Sequence, residues 1–366
     1  METKYEYKSA EEAVRQIKSG DRVFIQGGAC TPSYLISHLA KRKDELRDVE
    51  LVFITVYGDL IVDAPEYADS FHINTMFVSA SVRNSINEGR ADFIPVFLSE
   101  IPELFRRGVL PLDVAIVQVS PPDKKGYCSM GVSVDIARSA VNSASHVIAQ
   151  VNPRVPRTHG DSFIHSSQFD AMVFTDEPLH AAGAPAQLTA EEMKIGEHIA
   201  PLVSDRSTLQ LGIGCIPDAV CKFLTSHKDL GVHTEMFSDG LIELCEKGVV
   251  TNKYKSIHPN KTVSGFAFGT TKLYDYVDDN PAFAFLDIDY VNEPSVIKRN
   301  KKVVAINSAV EIDITGQVCS DSIGTYQYSG IGGQMDFIRA ASLSEDGKPI
   351  IALTSRTKKG LPRIVP

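Results

Sequence analysis

Short apolar runs recur along the chain at residues 22–26, 51–56, 74–78, 114–119 and 147–151, and again at 209–211, 232–236, 263–267, 303–307 and 349–353. Each run is bounded by turn formers, and several are separated by stretches whose apolar positions follow a helical period. Runs of this length without polar alternation predict strands buried on both faces, and helices between them predict crossover connections. The expected fold class is α/β, with two similar, open, mainly parallel sheets. Pro217 and the residues after it read as a helix with proline in its first turn.

The two halves echo each other. A strand, a glycine turn, a proline and a helix follow in order around Gly27, Cys30 and Pro32, and again around Gly212, Cys215 and Pro217, each pair 185 positions apart. Two related domains are the simplest account. Hydrophobic periodicity fades over residues 176–188, where Pro, Gly and Ala collect, so the chain divides into 1–185 and 186–366. Thr189 and Glu192 then form a capping-box pattern that opens a helix.

Chemistry enters with Glu235, at the end of the run that follows the turn Gly212, Ile213, Gly214, Cys215, Ile216. In an open α/β sheet the carboxyl end of that strand lies beside the glycine turn, at the edge where ligands bind. Two readings stay open on the residues. A Gly-x-Gly turn followed by an acid is the dinucleotide fingerprint, although Pro217 stands where its third glycine belongs. Alternatively Glu235 is a covalent nucleophile, with loop amides stabilising the oxyanion formed when it attacks a thioester. The matching strand in the first half, around Leu51 to Gly58, carries no carboxylate, and that asymmetry favours a working role for Glu235.

Composition narrows the field. With 37 basic and 46 acidic residues the net charge is −9, and no long basic block is present, which argues against nucleic acid or anionic membrane as partner. No apolar run is long enough for a membrane span and no signal-peptide pattern opens the chain, so a cytoplasmic location is expected. Cys30, Cys128, Cys215, Cys221, Cys245 and Cys319 lack ligand spacing; reduced thiols and no metal are expected. Lys253, Lys255 and Lys261 form a local cluster suited to a phosphate or to a solvated face. No G-x-S-x-G elbow, H-E-x-x-H helix or P-loop lysine occurs, which excludes serine hydrolase, zinc peptidase and P-loop NTPase.

Further candidates lie in loops. Gly332 and Gly333 precede Gln334 and a helical pattern, an opening with free N–H groups suited to an anion or oxyanion. A turn follows Phe266, and loop residues 119–135, Arg83 to Ser85, and His159 to His165 are placed to line a cleft.

At these motifs the chain resembles the acetyl-CoA hydrolase/transferase family, in particular its 4-hydroxybutyrate and butyryl-CoA:acetate CoA-transferase branch. The resemblance rests on residues 209–220, 233–240, 321–325 and 329–337, with 120–123 and 126–135 in addition, and extends over essentially the whole chain. It implies paired CoA-transferase-type domains with the active site between them, and Glu235 as the catalytic residue. Contacts to coenzyme A are implied at Gly212, Ile213, Gly214, Cys215, Ile216, Val310, Gly332 and Gly333. The implied substrates are acyl-CoA and a short carboxylate, with no permanently bound cofactor, and a homo-oligomer is expected. Met236, Phe237, Ile216 and Val310 are candidates for an apolar lining around the nucleophile. The family pattern also implies a further, partly helical segment beyond Pro366.

Overall fold

The computed structural model describes residues 5–183 and 187–366. Seven strands form the first sheet, in the spatial order Asp92–Phe93, Phe71–Thr75, Val49–Phe53, Arg22–Ile25, Val114–Val119, His146–Val151 and Ala171–Phe174. Six form the second: Phe283–Phe285, Thr262–Ala267, Gly231–Phe237, Thr208–Leu211, Val303–Asn307 and Lys348–Ile351. Neighbouring strands in both sheets run parallel. In each, the chain steps outward from its first strand and then returns to the other side of it. That reversal opens a crevice at the carboxyl ends of the strands.

Each of the ten expected runs overlaps a sheet strand, although 74–78 shares only Asn74 and Thr75 with Phe71–Thr75. Three more strands join them: Asp92–Phe93, Ala171–Phe174 and Phe283–Phe285. The boundary expected at 185 and 186 falls on residues outside those described, but the helix beyond it begins as anticipated, with Thr189 and Glu192 closing a capping box over Ala190–Ile199. The echo between halves holds in the strand order and departs at the helices. The first helix starts after its proline, at Ser33–Ala40, whereas the second starts before it, at Cys215–Phe223.

Register makes the comparison residue by residue. Val23 lies opposite Leu51 in the first sheet, and Thr208 lies opposite Gly231 in the second. With Val23 and Thr208 as counterparts, Thr55 occupies in the first half the place that Glu235 holds in the second.

The halves are packed into one another. A single cluster of buried apolar side chains runs from Phe24, Val117 and Val151 through to Leu209, Phe237 and Phe285. Backbone bonds also cross: Asp135 donates its N–H to the carbonyl of Gly265, Ala267 to Val132, Phe285 to His159 and Asp161 to Phe285, at 2.8 to 3.0 Å. The two at Phe285 cover the Phe283–Phe285 edge, where an open strand would invite pairing with another chain.

Candidate active site

Glu235 lies near the carboxyl end of a central strand of the second sheet. Side chains along a strand alternate between faces. His233 and Glu235 therefore share one face, and Met236 points to the other. His233 is buried and its Nε2 bonds the carbonyl of Val291 at 2.8 Å. The next residue, Asn292, is also buried and donates its Nδ2–H to Glu235 Oε2 at 2.9 Å. One turn thus bonds both side chains of the same strand face.

The helix Gln334–Leu343 closes the site from another direction. Gly333 is its N-cap, has no side chain to cap it, and lies against the Glu235 carboxyl, where its backbone N–H favours the charged form. That amide and the positive end of the helix favour a negative charge. A methyl group added at Gly333 would fall within the van der Waals radii of Glu235 Oε2 and Asn292 Nδ2. Only glycine fits between helix and carboxylate.

Two further acids surround this pair. Asp336, in the first turn of that helix, accepts from Ser99 Oγ at 3.0 Å, and burial raises it to about 6. Asp135 is buried, accepts from the amides of Ile136 and Ala137, and burial again raises it to about 6. For Glu235, burial lifts the carboxyl to about 7; Asp336 and Asp135 push the same way, while Asn292 and the Gly333 amide oppose them. A desolvated carboxylate among like charges is a reactive one, and converting it to an ester or thioester removes its charge.

Glu235 opens into a cavity of about 560 Å³. Most of its wall comes from the first half: Phe24, Ile54, Thr55, Val56, Tyr57, Phe77, Ser79, Ser81, Arg83, Leu98, Asp135 and Ile136. The second half contributes Ile213, Glu235, Phe266 and Gly332.

Several expectations are corrected here. The apolar lining is not Met236, Phe237, Ile216 and Val310. Met236 and Phe237 belong to the core, the latter edge-on to Phe283. Ile216 is buried in its helix, and Val310 pairs through its backbone with Cys319 and Arg363. His159 and His165 lie outside the cavity wall, bonded to Asp279 and Ser167. Of the lysine cluster, Lys253 is exposed and Lys261 half-buried, but Lys255 is buried and donates to the carbonyls of Val232 and Lys261; burial lowers it to about 7.

Of the glycine turn, Ile213 reaches the cavity and is 65% exposed. Gly212, Gly214, Cys215 and Ile216 continue from it outside the wall. Gly214 has φ 119°, a conformation that suits glycine, and as N-cap leaves the first amides of Cys215–Phe223 without a side-chain cap. Asn292, Asp336 and Ser99 were not singled out from the sequence. The described residues contain no group of three or more His, Cys, Asp or Glu arranged to hold a metal ion, and none of their helices is long and apolar enough to cross a membrane.

Comparison with known proteins places these features in context. The family profile for the acetyl-CoA hydrolase/transferase N-terminal domain matches residues 1–182, and the C-terminal domain profile matches 269–366. The chain is 49% identical over 363 residues to the succinyl-CoA:acetate/propanoyl-CoA:succinate CoA transferase of Fasciola hepatica, covering 98% of this chain and 75% of that protein. It is 48% identical over 359 residues to the 4-hydroxybutyrate coenzyme A transferase of Clostridium kluyveri, covering 98% and 83%. The crystal structure of a 4-hydroxybutyrate CoA-transferase from Porphyromonas gingivalis superposes with a TM-score of 0.85 at 38% identity, covering 98% of this chain and 84% of that one.

Proposed function

Because the chain belongs to the acetyl-CoA hydrolase/transferase family, we propose that it transfers coenzyme A from a short-chain acyl-CoA to a short-chain carboxylate, with Glu235 as the covalent nucleophile. The observation that carries this reading is the enclosure of one carboxylate, held by Asn292 and the Gly333 amide, at a largely apolar cavity. A glutamate meant to hold a ribose needs no such enclosure.

In the first step a Glu235 oxygen attacks the thioester carbonyl; the C–S bond breaks, giving a mixed anhydride and CoA thiolate. The thiolate then attacks the glutamyl carbonyl, and the substrate's acyl group leaves as a free carboxylate. What remains is a glutamyl-CoA thioester. The acceptor carboxylate attacks this thioester, expelling CoA thiolate, which attacks the acceptor's acyl carbon in the new anhydride and regenerates Glu235. Each step exchanges one acyl bond for another, so no net oxidation and no water is involved. The donors beside Glu235, Asn292 Nδ2 and the Gly333 N–H, suit the negative oxygen of the tetrahedral intermediates formed at the glutamyl carbonyl, an effect worth about 3–4 kcal/mol per donor in comparable sites. The exposed turn with the uncapped amides of Cys215 and Ile216 is assigned to coenzyme A, whose remote binding energy offsets the cost of bringing carboxylates together. An apolar wall limits competition from water.

Incubation with acyl-CoA and no acceptor is expected to raise the protein mass by one CoA less one water, with the adduct mapped to Glu235. An adduct on a cysteine, or none during active turnover, refutes the assignment. Release of free CoA at one rate with and without carboxylate identifies a hydrolase instead, and binding of NAD but not acetyl-CoA identifies an oxidoreductase.

A further inference from the structure

Asn292 is fixed at its backbone and free to turn at its side chain. Its N–H bonds the carbonyl of Ile288 at 2.9 Å, at the end of the short helix Ile288–Val291, and the residue is wholly buried. The amide nitrogen and oxygen of an asparagine are nearly alike in size, so packing does not choose which of them faces Glu235; polar partners do. On the oxygen side there is none, since Asn292 Oδ1 is buried without a hydrogen-bond partner among the described residues. On the nitrogen side there are two. Nδ2 carries two N–H bonds, and it lies 2.9 Å from Glu235 Oε2 and, in a longer contact, 3.5 Å from Asp336 Oδ2.

Glu235 does not hold that amide through the whole cycle. Once it has become a thioester its charge is gone and one of its oxygens has left. Asp336 takes no part in the bond changes, so its acceptor stays in place at every step. It is itself held from the other half of the molecule: Ser99, in the turn Leu98–Glu100, donates its Oγ–H to Asp336 Oδ1 at 3.0 Å and its N–H to Oδ2 at 3.4 Å. Beside it, the Leu98 N–H bonds the carbonyl of Gly332 at 3.1 Å. The first turn of the helix Gln334–Leu343 is a place that suits an acid, and Asp336 is only 5% exposed there. Leu98 and Gly332 both line the cavity, so this clamp joins the two halves at its wall.

Resting on the transfer reaction above, we propose that Asp336, held by Ser99, is a positioning residue that keeps the nitrogen end of Asn292 turned towards Glu235 while the glutamyl-CoA thioester awaits its acceptor. Without Asp336, no other polar partner among the described residues stops the amide from turning over, and the turned amide sets an oxygen against the forming oxyanion.

Exchange between butyryl-CoA and acetate at pH 8 tests this, with the melting temperature of each variant as a control. Asp336→Ala is expected to lower kcat about 10- to 100-fold, a part of what losing an oxyanion donor costs, with KM for butyryl-CoA within about 3-fold of wild type. Asp336→Asn recovers kcat to within about 5-fold of wild type, because its carbonyl oxygen still accepts from Asn292 and its amide nitrogen donates to Ser99 Oγ. Asn292→Ala lowers kcat about 100-fold, and adding Asp336→Ala to it lowers kcat no further, since the group through which Asp336 acts is already gone. If Asp336→Ala does not fold, Ser99→Ala supplies the same cycle: a loss of about 3-fold or more alone and none on top of Asn292→Ala. A wild-type kcat in Asp336→Ala overturns the inference and leaves Asp336 to the helix. So do losses that multiply in the double variant, or an Asp336→Asn protein no faster than Asp336→Ala. In each of these cases a wild-type protein that exchanges the pair leaves the transfer reading standing; a wild type that exchanges no acyl-CoA with any carboxylate refutes that reading and this inference with it.

Discussion

Replacing Glu235 by glutamine abolishes the nucleophile, and the structure predicts that it also stabilises the protein above neutral pH. Burial moves the carboxyl from 4.5 to about 7, so the folded state holds its proton more tightly than the unfolded chain does. The stabilisation tied to that proton is fully present below pH 4.5 and is lost as pH rises through about 7. The difference corresponds to roughly 3 kcal/mol, which the wild-type protein forgoes at pH 8 and Glu235→Gln does not. With an unfolding entropy of roughly 2.1 cal/mol/K per residue over 366 residues, that amounts to about 4 °C in Tm. Thermal melts of both proteins at pH 5 and pH 8 test it. Glu235→Gln should melt higher at pH 8, with the gap narrowing towards pH 5. A gap of the same size at both pH values, or a less stable glutamine variant at pH 8, refutes the claim that the wild type keeps a costly ionised carboxylate in this site.

The same protonation sets activity: kcat/KM for acyl-CoA should rise with pH along a single limb near 7 as Glu235 ionises, whereas a limb near the ordinary carboxylate range would contradict its burial. Gly333→Ala places a methyl where Glu235 and Asn292 meet; turnover should fall at least about 100-fold, the scale of losing one oxyanion donor, and unaltered kinetics would show the turn to be purely structural. His233→Leu leaves the Val291 carbonyl without its donor, costing about 1–3 kcal/mol of stability. Because that turn carries Asn292, kcat should fall more than KM rises, and a stability loss with normal kcat would limit His233 to packing.

The strands were legible because residues such as Val114 to Val117 form unbroken apolar runs that suit a doubly covered sheet. Asp92–Phe93 was missed because two residues carry no period, and Phe283–Phe285 because its Phe-Ala-Phe run fits a helix as well. Glu235 stood out through its asymmetry with the first half, where Thr55 takes its place. Its partners did not. Asn292 lies 57 residues away along the chain, in a turn with no motif, and only the His233–Val291 bond and the packing of Gln334–Leu343 bring it to the carboxylate. Strand alternation sends Met236, the immediate neighbour of Glu235, to the other face, and Phe237, two positions on, packs edge-on against Phe283 rather than reaching the cavity. Most of the cavity wall comes from the other half, and no local pattern around Glu235 announces it.

The backbone bonds that tie Val132, Asp135 and His159 to the second sheet, together with the shared apolar core, restrict how substrates come and go. Swinging the two sheets apart would trade those bonds for water, at about 0.5–1.5 kcal/mol each, and would wet side chains that neither half covers alone. Traffic through the cleft must therefore run through its rim, by displacement of loops such as those bearing Ile213 and Arg83, while the jaws stay fixed. Each catalytic cycle then begins with Glu235 and its donors already in register, and the two halves should melt in one transition.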